Sequence, residues 1–157
     1  MRKQWLAVAL TASVWVLLLP GLVIWQRSDS PLPPLRPVPL IILGAAALGV
    51  GFALVWAGAG RLSASGVSPF GTLPGPVLVT AGPYRLVRNP MDLGSTLMAL
   101  GPAAAFAVPA MMAVPLAALL YFAIGRGPIE NRYLEVVFGA EYTVYRAAVP
   151  MWLPRFW

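Results

Sequence analysis

The chain contains no cysteine and no histidine, and only five acidic residues among 157. Dithiol exchange needs cysteine. The usual zinc ligands and most haem ligands are cysteine or histidine. A Ser-His-Asp triad and an HExxH metalloprotease site are excluded outright. The five carboxylates are scattered, so no metal site is predicted. Charge is scarce as well, at 10% of residues against 59% hydrophobic ones. A soluble domain carries about 25% charged residues. The composition therefore predicts an all-α integral membrane protein built as one domain over 1–157. The net charge of +6 fits the basic bias of cytoplasmic membrane faces. No basic cluster with interleaved aromatics occurs, so no nucleic-acid partner is expected.

What is present is a series of long apolar runs. The first, 5–25, follows Arg2 and Lys3 and is bracketed by Trp5 and Trp25. Its 21 residues reach about 31 Å as a helix, enough to cross a bilayer. It ends in a bulky Trp rather than in small residues, so it reads as a span and not as a signal peptide. A proline-rich loop, 26–37, leads to a second span at 38–60. Gly44, Ala47, Gly49, Gly51, Ala53, Ala57 and Gly58 give that span many small residues, which let helix backbones approach closely in lipid. Gly49-Val50-Gly51 lies inside this helix with no strand before it, so it reads as packing rather than a nucleotide loop.

The segment 61–92 is polar and loop-like at its front. Val77-Leu78-Val79-Thr80 suggests a short extended piece. The apolar run 93–124 is too long for one straight span and short for two. Gly101-Pro102 and Val108-Pro109 offer breaks. A tight hairpin of 93–106 and 109–124 is predicted, with Pro115 kinking the second arm. A separate surface helix starts at Pro128, with Ile129, Tyr133, Val136 and Val137 on one face. Gly139 ends it, and a shorter helical turn carries Tyr142, Tyr145 and Arg146 as far as Pro150. About four transmembrane helices and a C-terminal cytoplasmic or interfacial helical segment result. Nine of the 11 basic residues lie in the N-terminus and the second and last polar segments. The positive-inside rule then puts both termini, and both polar segments, in the cytoplasm.

Those two segments, 80–92 and 128–154, hold the candidate polar groups. None is a general base with a near-neutral unperturbed pKa. Methyl transfer from S-adenosylmethionine suits such an inventory, because the sulfonium is already an activated leaving group and the protein mainly aligns donor and acceptor. Arginine can take the cofactor's carboxylate in a two-bond fork. A carboxylate such as Glu130 can take its ammonium, and tyrosines can face the adenine or sulfonium.

The run Gly82-Pro83-Tyr84-Arg85, Arg88-Asn89-Pro90-Met91 and Gly94 resembles one half of a signature in the isoprenylcysteine carboxyl methyltransferase and phospholipid methyltransferase superfamily, GPYRYxRHPxYxG. The other half, EExxLxxxFGxEYxxYxxxVP, is matched by Glu130, Leu134, Phe138-Gly139, Glu141-Tyr142, Tyr145 and Val149-Pro150. The resemblance covers about 80–154. It implies a cytoplasmic-facing S-adenosylmethionine pocket built from both motifs, with a lipophilic methyl acceptor entering from the bilayer. It places Tyr84, Arg88, Asn89, Pro90, Glu130, Asn131, Tyr142 and Tyr145 at the cofactor, and Arg146 as a candidate for orienting donor and acceptor. A bacterial inner-membrane location follows from relatives that share the RNP form. Asn89 stands in the place of the family His, Asp92 in that of a Tyr, and Asn131 in that of the second Glu.

Plainer readings accompany these. Arg85 suits a headgroup anchor, Glu135 and Glu141 suit solvated faces, and Tyr142 and Arg146, four apart, suit a structural stack. The alternative function is a catalytically silent cofactor-binding or structural protein of the same fold. A transporter is disfavoured, because nothing polar lies mid-span in the first two helices. The methyl acceptor (an isoprenylcysteine-like carboxylate, a phospholipid amine, or a small thiol or amine) is left open.

Overall fold

The structure is a computed structural model and describes residues 38–69, 77–106 and 109–152. The expected first span at 5–25 and the loop 26–37 lie outside the described residues. Among the described residues all regular structure is helical.

Among the described residues, helix α1, Val38–Ala64, is the one helix long and apolar enough to cross a membrane. Its three buried residues are Gly44, Gly51 and Gly58. A seven-residue spacing is nearly two full turns, so the three share one face. Helix α2, Pro90–Phe106, lies antiparallel against that face. A Cβ on Gly51 would sit 2.6 Å from the Gly94 carbonyl oxygen, and one on Gly94 would sit 2.6 Å from the Gly51 carbonyl. Gly44 meets Gly101 in the same way, and Gly58 faces Met91, Pro90 and the Tyr84 hydroxyl. Gly44, Gly51 and Gly58 thus act as expected, whereas Gly49, Ala53 and Ala57 are exposed and take no part in the contact. Most large side chains of α1 point outward, Trp56 at 73% exposure and Ile42 at 64% among them.

After α1 the chain turns at Gly66 and buries Val67. Residues 77–80 form no strand. A 3-10 turn, Gly82–Arg85, follows. Helix α2 then starts three residues before the expected 93. Pro90 suits a first helical position, where its missing N–H is not needed, and Asp92 suits the positive end of the helix dipole. The helix also continues through Gly101-Pro102, which does not break it, as far as Phe106.

A second 3-10 turn, Pro109–Met112, leads into α3, Ala113–Leu120. Pro115 falls in the first turn of α3, so it frees no mid-helix carbonyl, and the expected kink has no cause there. The largest departure comes next. No new helix starts at Pro128; a π-helical turn, Tyr121–Arg126, joins α3 directly to α4, Gly127–Phe138. The Gly127 N–H reaches the Phe122 carbonyl, five residues back. Pro128 has no N–H for an ordinary helical bond and its ring crowds the preceding turn. A widened turn accommodates both. Gly139, at φ +54, then turns the chain into α5, Ala140–Ala148. A positive φ there favours glycine, and the expected stop is where the sequence signals it.

Candidate functional site

The two motif segments meet at Arg88. Its main-chain N–H donates to the Pro150 carbonyl (2.9 Å), and the Asn89 N–H donates to Met151 (3.4 Å). The Arg88 side chain extends the join. Nε donates to the Val149 carbonyl, and Nη1 donates to Asn131 Oδ1 and to the Tyr142 hydroxyl, each at 2.9 Å. The Tyr142 hydroxyl in turn donates to Asn131 Oδ1. Tyr145 donates to the Tyr84 carbonyl at 2.7 Å. Val149, extended at φ −117, ψ 123, leaves α5 in the direction that presents its carbonyl to Arg88. The result is a polar clasp whose parts come from 82–89, α4, α5 and 149–151.

Beside this clasp lies a cleft of about 470 Å³, lined by Tyr84, Arg88, Arg126, Glu130 and Tyr145 and closed by apolar groups such as Leu134 and Phe138. Four of the eight sequence-predicted cofactor residues therefore line it: Tyr84, Arg88, Glu130 and Tyr145. Asn131 and Tyr142 stand behind Arg88 and hold it. Tyr142 is only 1% exposed. Pro90 is buried under Gly58. Asn89 turns away from the cleft and donates from Nδ2 to Asp92 Oδ2 at 3.2 Å. Arg146 lies on the outer side of α5, ion-paired with Glu135, and is not among the cleft's lining residues.

Arg126 is the site residue that sequence reasoning missed. Its Nη1 donates to Asp92 Oδ1 at 3.1 Å, and its Nε lies 3.5 Å from Glu130 Oε2. The signal was available, since Arg126 and Glu130 are four apart and charged pairs at that spacing meet on a helix. The expected helix break between them hid it.

Electrostatics set the chemistry. Arg88 and Arg126 oppose Asp92 and Glu130, so the described site is charge-balanced. Burial pushes the Glu130 carboxyl up; Arg126 opposes the shift and Asp92 adds to it. Its Oε2 is buried and has no hydrogen-bond partner. Burial also pushes the Tyr84 and Tyr145 phenols well above their usual range, so both stay neutral at physiological pH. Tyr142 shifts the same way by burial, with Arg88 opposing. The cleft thus offers an open anionic acceptor, guanidinium groups and tyrosine rings within one small volume, a set suited to a zwitterion with an aromatic part.

A family model described as phospholipid methyltransferase matches residues 39–141. The match spans α1, the first motif, α2, the π turn and Glu130. No curated protein and no solved structure matches the chain.

Proposed function

Because this chain belongs to the phospholipid methyltransferase family, we propose that it is a membrane methyltransferase that uses S-adenosylmethionine. It methylates a lipophilic or small acceptor at the cytoplasmic face of the membrane. Bound there, the cofactor supplies a methyl group on a sulfonium. The one observation that carries the reading is Glu130 Oε2, a buried acceptor without a hydrogen bond in a cleft that both motif segments build. An orphaned buried carboxylate oxygen is costly unless a ligand satisfies it. Glu130 would hold the cofactor's ammonium. The Arg88 Nη2 group, which has no partner among the described residues, would hold its carboxylate. Tyr84 and Tyr145 would line the remainder.

The membrane setting is supported by the length of α1 and its outward apolar side chains. A helix that is apolar all round is either buried in protein or in lipid. Four spans with both termini cytoplasmic in a bacterial inner membrane complete the proposal. The acceptor is an isoprenylcysteine-like carboxylate, a phospholipid amine, or a small thiol or amine.

A second reading, a silent cofactor-binding relative, is favoured by one fact: three of the five Arg88 N–H groups already bond to protein acceptors. Titration of the purified protein with S-adenosylmethionine in detergent, followed by methyl transfer to each acceptor class, separates the two. Saturable binding lost in Glu130→Gln, together with transfer to one class, supports the enzyme. Binding without transfer to any class supports the silent relative, and no binding removes both.

The same titration has a pH signature. The raised Glu130 pKa means that affinity rises with pH, as the carboxyl ionises and can face an ammonium. The ligand-free protein behaves oppositely. A carboxyl whose folded pKa exceeds its unfolded value contributes stability below the unfolded pKa, and this is lost as pH rises through the folded one. Melting curves of wild type and Glu130→Gln across pH 4–8 check that sign.

A further inference from the structure

We propose that Asp92 is a positioning residue for the cofactor's amino group: it holds the Arg126 guanidinium so that Glu130 keeps an open acceptor. The inference rests on the reading of the cleft as an S-adenosylmethionine site. Asp92 is 7% exposed, and both its oxygens are engaged, Oδ1 by Arg126 Nη1 and Oδ2 by Asn89 Nδ2. Arg126 and Glu130 are four residues apart on one helical run, a spacing that brings a guanidinium within reach of a carboxylate, which it can grip in a two-bond fork. Here it does not. The nearest approach is Nε to Oε2 at 3.5 Å, and Oε2 accepts no hydrogen bond.

Asp92 supplies the reason, since it takes Nη1 from the side of α2 and turns the fork away. Among the described residues, the groups facing Glu130 are Arg126 from its own run, Asp92 from α2, Tyr84 from the 3-10 turn and Tyr142 from α5. Arg88 lines the same cleft. Arg126 is the only cation among those named that lies within ion-pair distance of Glu130. Without the Asp92 anion, Arg126 is released to fill Glu130, and an incoming ammonium meets an acceptor already taken. Asp92 stands where the family signature has a Tyr, so the device belongs to this chain and not to the motif.

The test uses S-adenosylhomocysteine and its deaminated analogue, which keeps the adenosine and the carboxylate. Both are titrated calorimetrically into the purified full-length protein in detergent. Asp92→Asn should weaken S-adenosylhomocysteine about tenfold or more and leave the analogue within about twofold. Glu130→Gln should show the same selective loss, and the double variant should lose little beyond either single one, because both changes remove one interaction. Asp92→Glu should recover most of the affinity. Equal weakening of both ligands by Asp92→Asn, or no weakening of either, overturns the inference and leaves the cofactor reading standing. Wild-type protein that binds neither ligand removes the cofactor reading, and the inference falls with it.

Discussion

Along the seam between α1 and α2, the Gly51 and Gly94 backbones are so close that a Cβ on either would lie 2.6 Å from the other's carbonyl oxygen. No side-chain hydrogen bond is exchanged there among the described residues. At the clasp, a single arginine donates three side-chain hydrogen bonds to three residues, and the Glu130 beside it keeps an unfilled oxygen. The seam is held by close packing and has one geometry, because backbone cannot move aside as a rotamer can. The clasp is held by directional bonds between groups that have further donors and acceptors to offer. The division suits a binding protein embedded in an apolar frame. The seam fixes the start of α2, and with it Arg88 and Asp92; the clasp then presents groups that a ligand can use.

The sharpest way to break this comparison is to load the seam. Gly51→Leu places a branched side chain where Gly94 O and Met98 N lie 2.6 and 2.8 Å from a Cβ. Overpacking costs about 1–3 kcal/mol even where side chains can shift, and here the obstacle is main chain. The expected outcome is loss of a monodisperse folded species, read by size-exclusion chromatography and thermal unfolding in detergent. A Gly51→Leu protein that melts like wild type removes the seam as the organising contact.

Next in size is Arg88→Ala. It leaves the main-chain bond to Pro150 and removes all three side-chain bonds. Hydrogen bonds to a charged group contribute about 1.5–3 kcal/mol and do not add fully, so a loss of about 3 kcal/mol is expected from denaturant unfolding. Arg88→Lys should recover little, because one ammonium cannot reach Val149 on one side and Asn131 with Tyr142 on the other. Smaller again is Tyr142→Phe. Arg88 and Asn131 remain bonded directly to each other, so the expected loss is about 1 kcal/mol. A Tyr142→Phe cost equal to that of Arg88→Ala would mean that the clasp is as rigid as the seam.

The two regions were not equally legible in the sequence. The glycine stripe of α1 and the turn at Gly139 follow from local chemistry, since small residues and a positive φ act where they stand. The pairing of 82–92 with 128–152 came from the charge bias that puts both segments on one membrane face and from the motif resemblance, not from any local signal. What stayed hidden was the passage through Gly125-Arg126-Gly127-Pro128. Propensity reads two glycines and a proline as a break. The π turn removes the need for one, and the close packing of Met151 over Gly127 supports it from a segment far along the chain. That continuity brings Arg126 to Asp92 and Glu130. Asn89 and Arg146 stand off the cleft for a related reason: each finds a carboxylate partner, Asp92 and Glu135, that only the tertiary fold supplies.

The smallest expected effect sharpens the comparison most finely, because it needs only two residues of separation. Gly49 and Gly51 lie on the same helix, in the same apolar run, two positions apart. At 3.6 residues per turn they point about 200° from one another. Gly51 is buried against Gly94, whereas a Cβ on Gly49 meets nothing within 4 Å. Alanine is the better helix former by about 0.5–1 kcal/mol in a helix interior. Gly49→Ala should therefore be neutral or raise stability by at most about that amount. Gly51→Ala gains the same propensity but meets backbone at 2.6 Å, so it should destabilise. Paired melting curves of the two variants measure the difference with helix propensity cancelled. If both variants shift alike, the contact at Gly51 is not a close one, and the seam is a consequence of composition rather than of fit.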